Sequence, residues 1–525
     1  MHSTTRVVTA VGALTAAALT LAGCAGGNSA PTTQDTLLTI DSGFTIETGD
    51  PGHTYDPTGN MLAKALYETL VDFDGADIST PVPGLASWEQ NDDATEFTFT
   101  IEDGRTFSDG SPVEAKDVVF SLERIQSLPE AKPNFLLAGI TIDEVDDMTV
   151  SFSTESPSLQ LPAILANPAL GILNSDVVME HGGSVDGDDS AQEWLDANSA
   201  GSGPYVLDSL DLTSQIVLTG NDEYTGPETV AYSRVVVRNV SESATQLINL
   251  QGGDTDVALD LNGDQVSELT DGFTVDSVPS GQTIFLLVNQ DEKVGGVTAD
   301  PDFAEAVRYA LDYDGLLELA GAGSVQATGV IPPGYSGALE SGVSQDLDMA
   351  QAALEASGYD GETVTLSFPN DYPVGGVDFT SLAERIQAQL QDAGIEVELA
   401  PAPFATELDA YVGGQEAFGL WFWGPDYADS ANFLPFAPGL TVGLRAGWTE
   451  NDAPELAQLA ADAYGASTVE QRDQLFTEFA TRMQQEGPFV PLIVPGSNIA
   501  TTDAVTGAVY NSVWTMDIAE LSPAN

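Results

Sequence analysis

Short apolar strands and amphipathic helices alternate along most of this chain, and that alternation favours a mixed α/β fold. Residues 97–101 alternate apolar and polar side chains strictly, which predicts a strand with one buried face. Residues 363–399 read in turn as strand, helix and strand, with the helix over 379–393. Such an order predicts two parallel strands joined by a right-handed crossover.

The length of the chain requires more than one core. Its 525 residues exceed what a single hydrophobic core usually organises, so we expect two or three domains. Hydrophobic residues make up 42% of the sequence, which is enough for packed domains and argues against wholesale disorder.

The chain is strongly acidic, since 81 Asp and Glu residues against 14 Lys and Arg give a formal net charge of −67. A phosphate backbone needs clustered Lys and Arg, so nucleic acid is not expected as a partner. Docking onto anionic lipid through a basic face is disfavoured for the same reason. The charge resists self-association and favours a monomer. Adaptation to a salty environment and steering of cationic ligands are both consistent with it.

Residue types for common catalytic and metal sites are scarce. Cys24 is the one cysteine, and the three histidines are His2, His53 and His181, so neither a disulfide nor a Cys/His zinc site is expected. The signature motifs of serine hydrolases, zinc proteases and nucleotide-binding loops are absent. The acidic group at 254–264 lacks the glycine of a calcium-binding EF-hand loop, which favours a solvated loop. We therefore expect no enzymatic activity, no metal and no cofactor.

The first residues of the chain, 1–23, predict a secretory signal peptide. Arg6 precedes an apolar run over 7–21, which has the length of a signal core and is short for a membrane span. The small residues before Cys24 resemble a bacterial lipobox, which implies diacylation of Cys24 and anchoring to the outer face of the cytoplasmic membrane. Polar residues over 24–35 then form a flexible tether. The alternative is an ordinary signal peptide followed by a chance cysteine.

One aromatic segment, 418–427, is the candidate binding site. It carries two Trp, two Phe and one Tyr around a single acid, Asp426. The residues up to Trp423 predict a buried strand, and ligands of open α/β sheets bind beyond the carboxyl ends of strands. Asp426 beside Trp423 and Tyr427 would suit an ammonium group, because the carboxylate supplies charge-assisted hydrogen bonds and the rings supply apolar and cation–π contacts.

A set of short segments, spread in order over nearly the whole chain after the tether, carries a family resemblance. The segments are Leu66–Val71, Pro83–Trp88, Phe97–Phe99, Phe107–Val113, Ala115–Ser121, Gly201–Tyr205, Phe303–Asp312 and Trp423–Tyr427. Together they closely resemble the signature of the family-5 solute-binding proteins of ABC importers, which are large dipeptide- and oligopeptide-binding lipoproteins.

The resemblance implies a hinged, two-lobed periplasmic-binding-protein-like α/β fold of type II, with an extra domain on lobe one. The extra domain would be 62–199 and lobe two 290–496. Hinge crossovers are implied near Asn289–Gln290 and near Pro495–Asn498. Lobe one would then be assembled from three segments, 36–61, 200–289 and 497–525.

The resemblance also implies ligand contacts. In peptide-binding members the Asp of a W-x-x-D motif holds the α-ammonium group of the ligand, and the matching residues here are Trp423 and Asp426. The ligand main chain would pair with backbone near Gly424 as an added strand. Peptide binders commonly place an arginine against the ligand carboxylate, but Phe379–Ser381 and Leu420–Trp421 stand at two such positions here.

The sequence therefore predicts an exported receptor that captures a peptide or another amine-bearing solute and delivers it to an ABC permease and its ATPase. Arg445 is the candidate substitute partner for a ligand carboxylate. Two alternatives stay open. The solute could be an oligosaccharide or other neutral molecule stacked on Trp421, Trp423 and Tyr427, or the chain could be a surface sensor or scaffold that feeds no transporter.

Overall fold

Two large β-sheets organise the residues that the computed structural model describes, 36–128 and 131–524. The predicted signal peptide at 1–23, the lipidated Cys24 and the tether at 24–35 lie outside these described residues, so they stay predictions. Within the described ranges no helix is both long enough and apolar enough to cross a bilayer.

Strands and helices follow one another along the chain as the sequence pattern predicts. The strands are β1 (Leu37–Ser42), β2 (Val71–Asp74), β3 (Asp77–Pro83), β4 (Ala86–Gln90), β5 (Glu96–Ile101), β6 (Ile140–Asp146), β7 (Thr149–Thr154), β8 (Tyr205–Asp211), β9 (Gln215–Gly220), β10 (Arg234–Asn239), β11 (Val257–Ala258), β12 (Phe273–Pro279), β13 (Thr283–Val288), β14 (Val325–Gln326), β15 (Val364–Pro369), β16 (Val397–Ala402), β17 (Phe418–Trp423), β18 (Phe489–Val494), β19 (Gly496–Thr502), β20 (Val505–Thr506) and β21 (Ser522–Pro523). The α-helices are α1 (Pro57–Leu66), α2 (Ala115–Ser127), α3 (Leu161–Ile164), α4 (Ser175–Glu180), α5 (Gln192–Leu195), α6 (Ser243–Gly252), α7 (Gly263–Ser267), α8 (Pro301–Ala310), α9 (Tyr313–Leu317), α10 (Leu347–Ala356), α11 (Phe379–Asp392), α12 (Phe404–Val412), α13 (Thr441–Arg445), α14 (Pro454–Tyr464) and α15 (Val469–Glu486). Short 3₁₀ helices include Pro51–His53, Lys132–Leu137 and Ser430–Phe436.

The first sheet gathers strands from the beginning, the middle and the end of the chain, in the order β12-β19-β11-β1-β10-β9-β8. β1 pairs in parallel with β10, with Leu37 opposite Arg234, while β19 runs antiparallel to both β12 and β11. Val235 and Val237 of β10 alternate into the core, as a half-buried strand requires.

The second sheet has the order β14-β18-β13-β17-β15-β16 and is covered on both faces. Phe285 and Leu287 of β13 belong to one buried cluster, while Ile284, Leu286 and Val288 belong to another. A strand buried on both faces reads as a continuous apolar run. The predicted strand–helix–strand unit is confirmed by β15, α11 and β16, because β15 and β16 pair in parallel with Val364 opposite Val397.

The chain crosses between the sheets at two adjacent points. We expected Thr283–Val288 to end lobe one and the first crossover to follow near 289–290, but β13 is an interior strand of the second sheet. The apolar residues of β13 are buried between two helical layers, so this strand belongs to the second sheet. The first crossing therefore lies over 280–282, between β12 and β13. The second crossing joins β18 to β19 at Pro495, and Ser280 N–H donates a 2.9 Å hydrogen bond to the Pro495 carbonyl.

A smaller antiparallel sheet, β4-β5-β7-β6, packs against helix α2. The predicted strand over 97–101 is confirmed by β5, whose residues Phe97, Phe99 and Ile101 are buried while the residues between them are exposed. A capping box between Glu114 and Asp117 begins α2.

Backbone from the two large sheets approaches closely beside the crossings. Gly263 begins α7, which packs against β19 of the first sheet, and Gly321 precedes β14 of the second. A Cβ atom on Gly263 would overlap Ala322 N and the Gly321 Cα atom. This contact therefore requires glycine because of the neighbouring backbone.

We expect Gly263→Ala to lower the free energy of unfolding by about 1–3 kcal/mol, because the added methyl group overpacks a backbone contact. Urea unfolding measures the change. Gly252→Ala is the matched control, because Gly252 is also helical and a Cβ there would meet nothing closer than Asp254 at 3.6 Å. The control should be neutral or stabilising by up to about 1 kcal/mol. Equal stability of Gly263→Ala and the parent protein would contradict the close approach.

Candidate functional site

The candidate site lies where β17 ends and the chain turns through residues 424–427. β17 runs antiparallel to β13, with Trp423 opposite Thr283, so its carboxyl end adjoins the first crossing between the sheets. A Cβ atom on Gly281 would lie 2.9 Å from Pro425 Cγ, and one on Gly424 would touch Gln282. The predicted position beyond a strand end is thus beside the crossings that connect the two large sheets.

Asp426 is contacted by three separate parts of the chain. The Tyr55 hydroxyl, from the segment before α1, donates to Asp426 Oδ1. Asn432 Nδ2 donates to Oδ2 at 2.9 Å, and Asn167 Nδ2 donates to the Asp426 backbone carbonyl at 2.8 Å. The acid is therefore fixed in orientation from two sides.

Trp423 determines which way the Asn432 amide faces. Its indole N–H donates to Asn432 Oδ1 at 3.0 Å. Because an indole nitrogen can only donate, the amide oxygen must face Trp423 and the amide nitrogen must face Asp426. Trp423 thus supports the predicted site indirectly, through Asn432.

Burial and hydrogen bonding have opposite effects on the acid. Burial raises the pKa of Asp426, while the hydrogen bonds from Tyr55 and Asn432 oppose that rise. Burial, followed by the charge of Asp426, raises the pKa of Tyr55, so the phenol remains a neutral donor. A carboxylate has about four acceptor positions. Two are used, which leaves Asp426 able to accept further hydrogen bonds from a cation.

An aromatic surface of the second sheet includes Phe422, the residue before Trp423 in β17. Tyr372 stacks on Phe404, with ring centroids 4.5 Å apart, and on Phe422, with centroids 5.6 Å apart. The Tyr372 side chain is 43% exposed. Burial and then the Asp56 carboxylate raise the pKa of Tyr372.

Sequence reasoning missed the aromatic surface, although a signal was present. Tyr372 and Phe404 lie within three residues of the ends of the parallel strands β15 and β16, and such strand ends are where open α/β sheets bind ligands. Tyr55 had no such signal. On its side of the site, Tyr55 meets the edge of Phe135, with ring centroids 5.6 Å apart and Phe135 47% exposed.

Trp421 is a correction, because the structure places it in the core and away from the site. Its side chain is 1% exposed, stacks on Tyr411 at 4.3 Å and donates from Nε1 to Glu416 Oε2 at 2.6 Å. Burial and the neighbouring Glu407 carboxyl raise the pKa of Glu416 to about 9. Trp421 shares the strand face of Trp423 but lies two residues further from the strand end, so the layer that covers the sheet buries it.

Arg445 is also placed away from Asp426. Its guanidinium lies over the Tyr411 ring at 4.6 Å, and its carbonyl accepts from Asn289 Nδ2 at 3.2 Å, at the amino end of β17. A six-residue strand spans roughly 20 Å, so the backbone of Arg445 and that of Asp426 lie near opposite ends of β17. The guanidinium of Arg445 is thus already in contact with Tyr411, and the sequence-based suggestion that it meets a ligand carboxylate stays a prediction.

The remaining predicted residues lie at the site. Tyr427 is half-buried against the core, where burial and the charge of Asp429 raise its pKa. The guanidinium of Arg472 donates to both carboxylate oxygens of Asp429, so this neighbouring cation is already paired.

Among the described residues, no group of three or more His, Cys, Asp or Glu side chains is arranged to hold a metal ion.

Comparisons with known proteins show which proteins this chain resembles. The model of the bacterial extracellular solute-binding proteins, family 5, matches residues 80–439. A probable D,D-dipeptide-binding periplasmic protein of Escherichia coli K12 is 29% identical over 484 residues, which cover 90% of this chain and 92% of that protein.

Solved structures give the fold. An ABC transporter substrate-binding protein of Listeria monocytogenes superposes with a TM-score of 0.81 at 16% identity, covering 94% of this chain and all of that one. A periplasmic binding protein of Helicobacter pylori, in complex with the peptide STSA, superposes with a TM-score of 0.73 at 23% identity, covering 93% and 98% of the two chains. The expected two-lobed α/β fold is confirmed.

We expect Trp421→Phe to lower the free energy of unfolding by about 1–3 kcal/mol, because it removes a buried hydrogen bond to Glu416. Urea unfolding measures this loss. Trp88→Phe is the matched control, since Trp88 is half-buried and stacks on Phe99 at 6.0 Å. Trp88→Phe should lower the free energy of unfolding by less than Trp421→Phe does. Equal losses in the two variants would contradict the structural role of the Trp421–Glu416 contact.

Proposed function

The chain belongs to the bacterial extracellular solute-binding proteins of family 5, and on that premise we propose that it captures a peptide or another amine-bearing solute beside Asp426. It delivers this solute to the permease of an ABC importer and catalyses no reaction. The match to a probable D,D-dipeptide-binding protein and the likeness to a binding protein in complex with a peptide support this ligand class.

The arrangement around Asp426 is the observation that carries the proposal. A partly desolvated carboxylate, oriented by Tyr55 and Asn432, keeps acceptor positions for an ammonium group. Charge-assisted hydrogen bonds are about twice as strong as neutral ones, and partial burial protects them from screening. The net charge of −67 also favours the approach of a cation to the protein.

The aromatic side chains provide the apolar part of the site. The partly exposed face of Tyr372, backed by Phe404 and Phe422, accommodates an apolar side chain of the ligand. Trp423 and Tyr427 flank the acid. Backbone beside Gly424 pairs with the ligand main chain as an added strand, as proposed from the sequence.

The origin of the contacts supports closure of the two lobes around a ligand. Tyr55 comes from the segment after β1 of the first sheet, and Asp426 follows β17 of the second. A ligand that contacts both sides binds the closed form more tightly than the open form, so it shifts the population toward closure. The permease then distinguishes the closed form from the open one.

Lipid attachment at Cys24 keeps the receptor at the membrane. After removal of residues 1–23, acyl chains on Cys24 bury in the outer face of the cytoplasmic membrane, and the tether at 24–35 leaves the binding domain free to meet the permease. The receptor acts as a monomer at this surface.

We expect Cys24→Ser to move the protein from the membrane fraction to the soluble fraction, because serine offers no thiol for acylation. Fractionation and the mass of the N-terminal peptide measure the change. The parent peptide should carry the mass of acyl chains, and the variant peptide should not. A parent protein cleaved elsewhere, with an unmodified Cys24, would contradict lipid anchoring and leave the solute site unaffected.

We expect Asp426→Asn to weaken binding of a free-amine peptide at least tenfold, about 1.4 kcal/mol, because the amide keeps the shape and loses the charge. Calorimetry with Ala-Phe-Ala and with its N-acetylated form measures this effect. The acetylated peptide should bind weakly to both proteins.

Glu47→Gln is the matched control for that variant. It removes one negative charge from an exposed side chain that pairs with Lys132 at 2.6 Å, and it should leave the affinity within about twofold. Unchanged binding in Asp426→Asn would contradict the ammonium site. It would favour instead a neutral solute stacked on the exposed Tyr372 ring.

A further inference from the structure

A buried ion-pair cluster lies behind the segment that carries Tyr55. At its centre is Arg124 of α2, whose side chain is 0% exposed. Its Nη1 and Nη2 atoms donate to the two oxygens of Asp50 at 2.9 and 2.6 Å, and its Nε and Nη2 atoms donate to Asp189 at 2.7 and 2.9 Å. One guanidinium therefore joins two buried carboxylates from distant parts of the chain.

Asp50 in turn fixes the beginning of the Tyr55 segment. Its carboxylate accepts from Gly52 N at 3.0 Å and lies 3.1 Å from His53 Nδ1, so it caps the short helix Pro51–His53. Burial alone would raise the pKa of Asp50, but the hydrogen bonds from Arg124 and His53 lower it to about 2. Asp50 is therefore a carboxylate whose position depends on Arg124.

The end of the same segment is also capped. Asp56 accepts from Gly59 N at 2.9 Å and begins α1. Tyr55 thus lies between two residues that are each held by helix caps, and only Thr54 separates it from the first short helix. A phenol held in this way can meet Asp426 with little freedom to turn away.

We propose that Arg124 is a positioning residue for the ammonium site, acting through Asp50 to hold the Tyr55 hydroxyl against Asp426. This inference rests on the proposed function, because it assumes that Asp426 binds the cation. Arg124 itself contacts Asp50 and Asp189, not the ligand. Its role is to keep one of the two donors to Asp426 in place.

Loss of Arg124 would leave Asp50 and Asp189 as buried carboxylates without their counter-charge, which is strongly unfavourable. Asp50 would then take up a proton or turn toward water, and the cap on Pro51–His53 would weaken. With Tyr55 released, Asp426 would lose a hydrogen bond that favours its charged form. Its pKa would rise further, and amine binding would fail at a higher pH than in the parent protein.

The surroundings of Asp426 make this pH effect interpretable. Among the described residues, the titratable side chains coupled to Asp426 are Tyr55 and Tyr427, and both phenols stay neutral near pH 7 because their pKa values are raised. Burial also raises the pKa of Asp56, which follows Tyr55 and is unchanged in every variant of the test below. The nearby pair of Arg472 and Asp429 is held together independently of Arg124. A shift in the acid limb of binding therefore reports the hydrogen bonds to Asp426.

The test measures binding of Ala-Phe-Ala between roughly pH 4 and pH 8, the range in which a raised carboxyl pKa titrates. The variants are Tyr55→Phe, Arg124→Met and the double variant. We expect each single variant to weaken binding and to move the acid midpoint upward. The double variant should bind the peptide no more weakly than the single variant with the lower affinity, because both substitutions act through the same hydrogen bond. Asp50→Asn is a milder variant that keeps a capping side chain and removes the charge, should Arg124→Met fail to fold.

Arg308→Met is the matched control, since Arg308 is equally buried but donates to the backbone carbonyls of Gln485 and Gly487, away from the site. It should lose stability without moving the acid midpoint. Unshifted midpoints in Arg124→Met and Asp50→Asn, or effects that multiply with Tyr55→Phe, would overturn the positioning role. In that case the loss caused by Asp426→Asn would still support the proposed function. If Asp426→Asn binds normally, the ammonium site itself is overturned, and the positioning role with it.

Discussion

The carboxylate of Asp426 is held where three parts of the chain converge, and the geometry of the site depends on it. Tyr55 and Asn432 each donate to a different oxygen, and Asn167 holds the backbone of the same residue. Partial burial makes the charged form costly, while these donors compensate for that cost. In the proposed function, a cation between the lobes would relieve the remaining cost, which would link recognition of an amine to closure.

The fold that creates this point was largely predictable, with one instructive exception. Periodicity identified the strand–helix–strand unit of β15, α11 and β16 and the half-buried strand β5, because each pattern is local. The same reasoning misplaced Thr283–Val288. A continuous apolar run shows that a strand is buried on both faces, but it does not show which sheet it joins, and that depends on pairing with β17 and β18.

The site was predictable only in part, for physical reasons that differ between residues. Asp426 and Trp423 follow from a strand end with an unusual composition. Trp421 shares the same composition, yet helical cover over the strand interior makes it a core residue. Tyr55 meets Asp426 across 371 residues of sequence, and no local pattern encodes such a contact. Arg124 belongs to the same class, because its partners Asp50 and Asp189 come together only in the folded chain.

The most direct measurement of the central claim is native mass spectrometry of the mature protein purified from its own host, followed by denaturation to release any bound molecule. An ammonium site at Asp426 predicts released masses that belong to peptides or other solutes with a free amino group. A released population made up only of neutral sugars or other molecules without an amine would contradict Asp426 as the ammonium partner, while leaving the two-lobed fold unaffected.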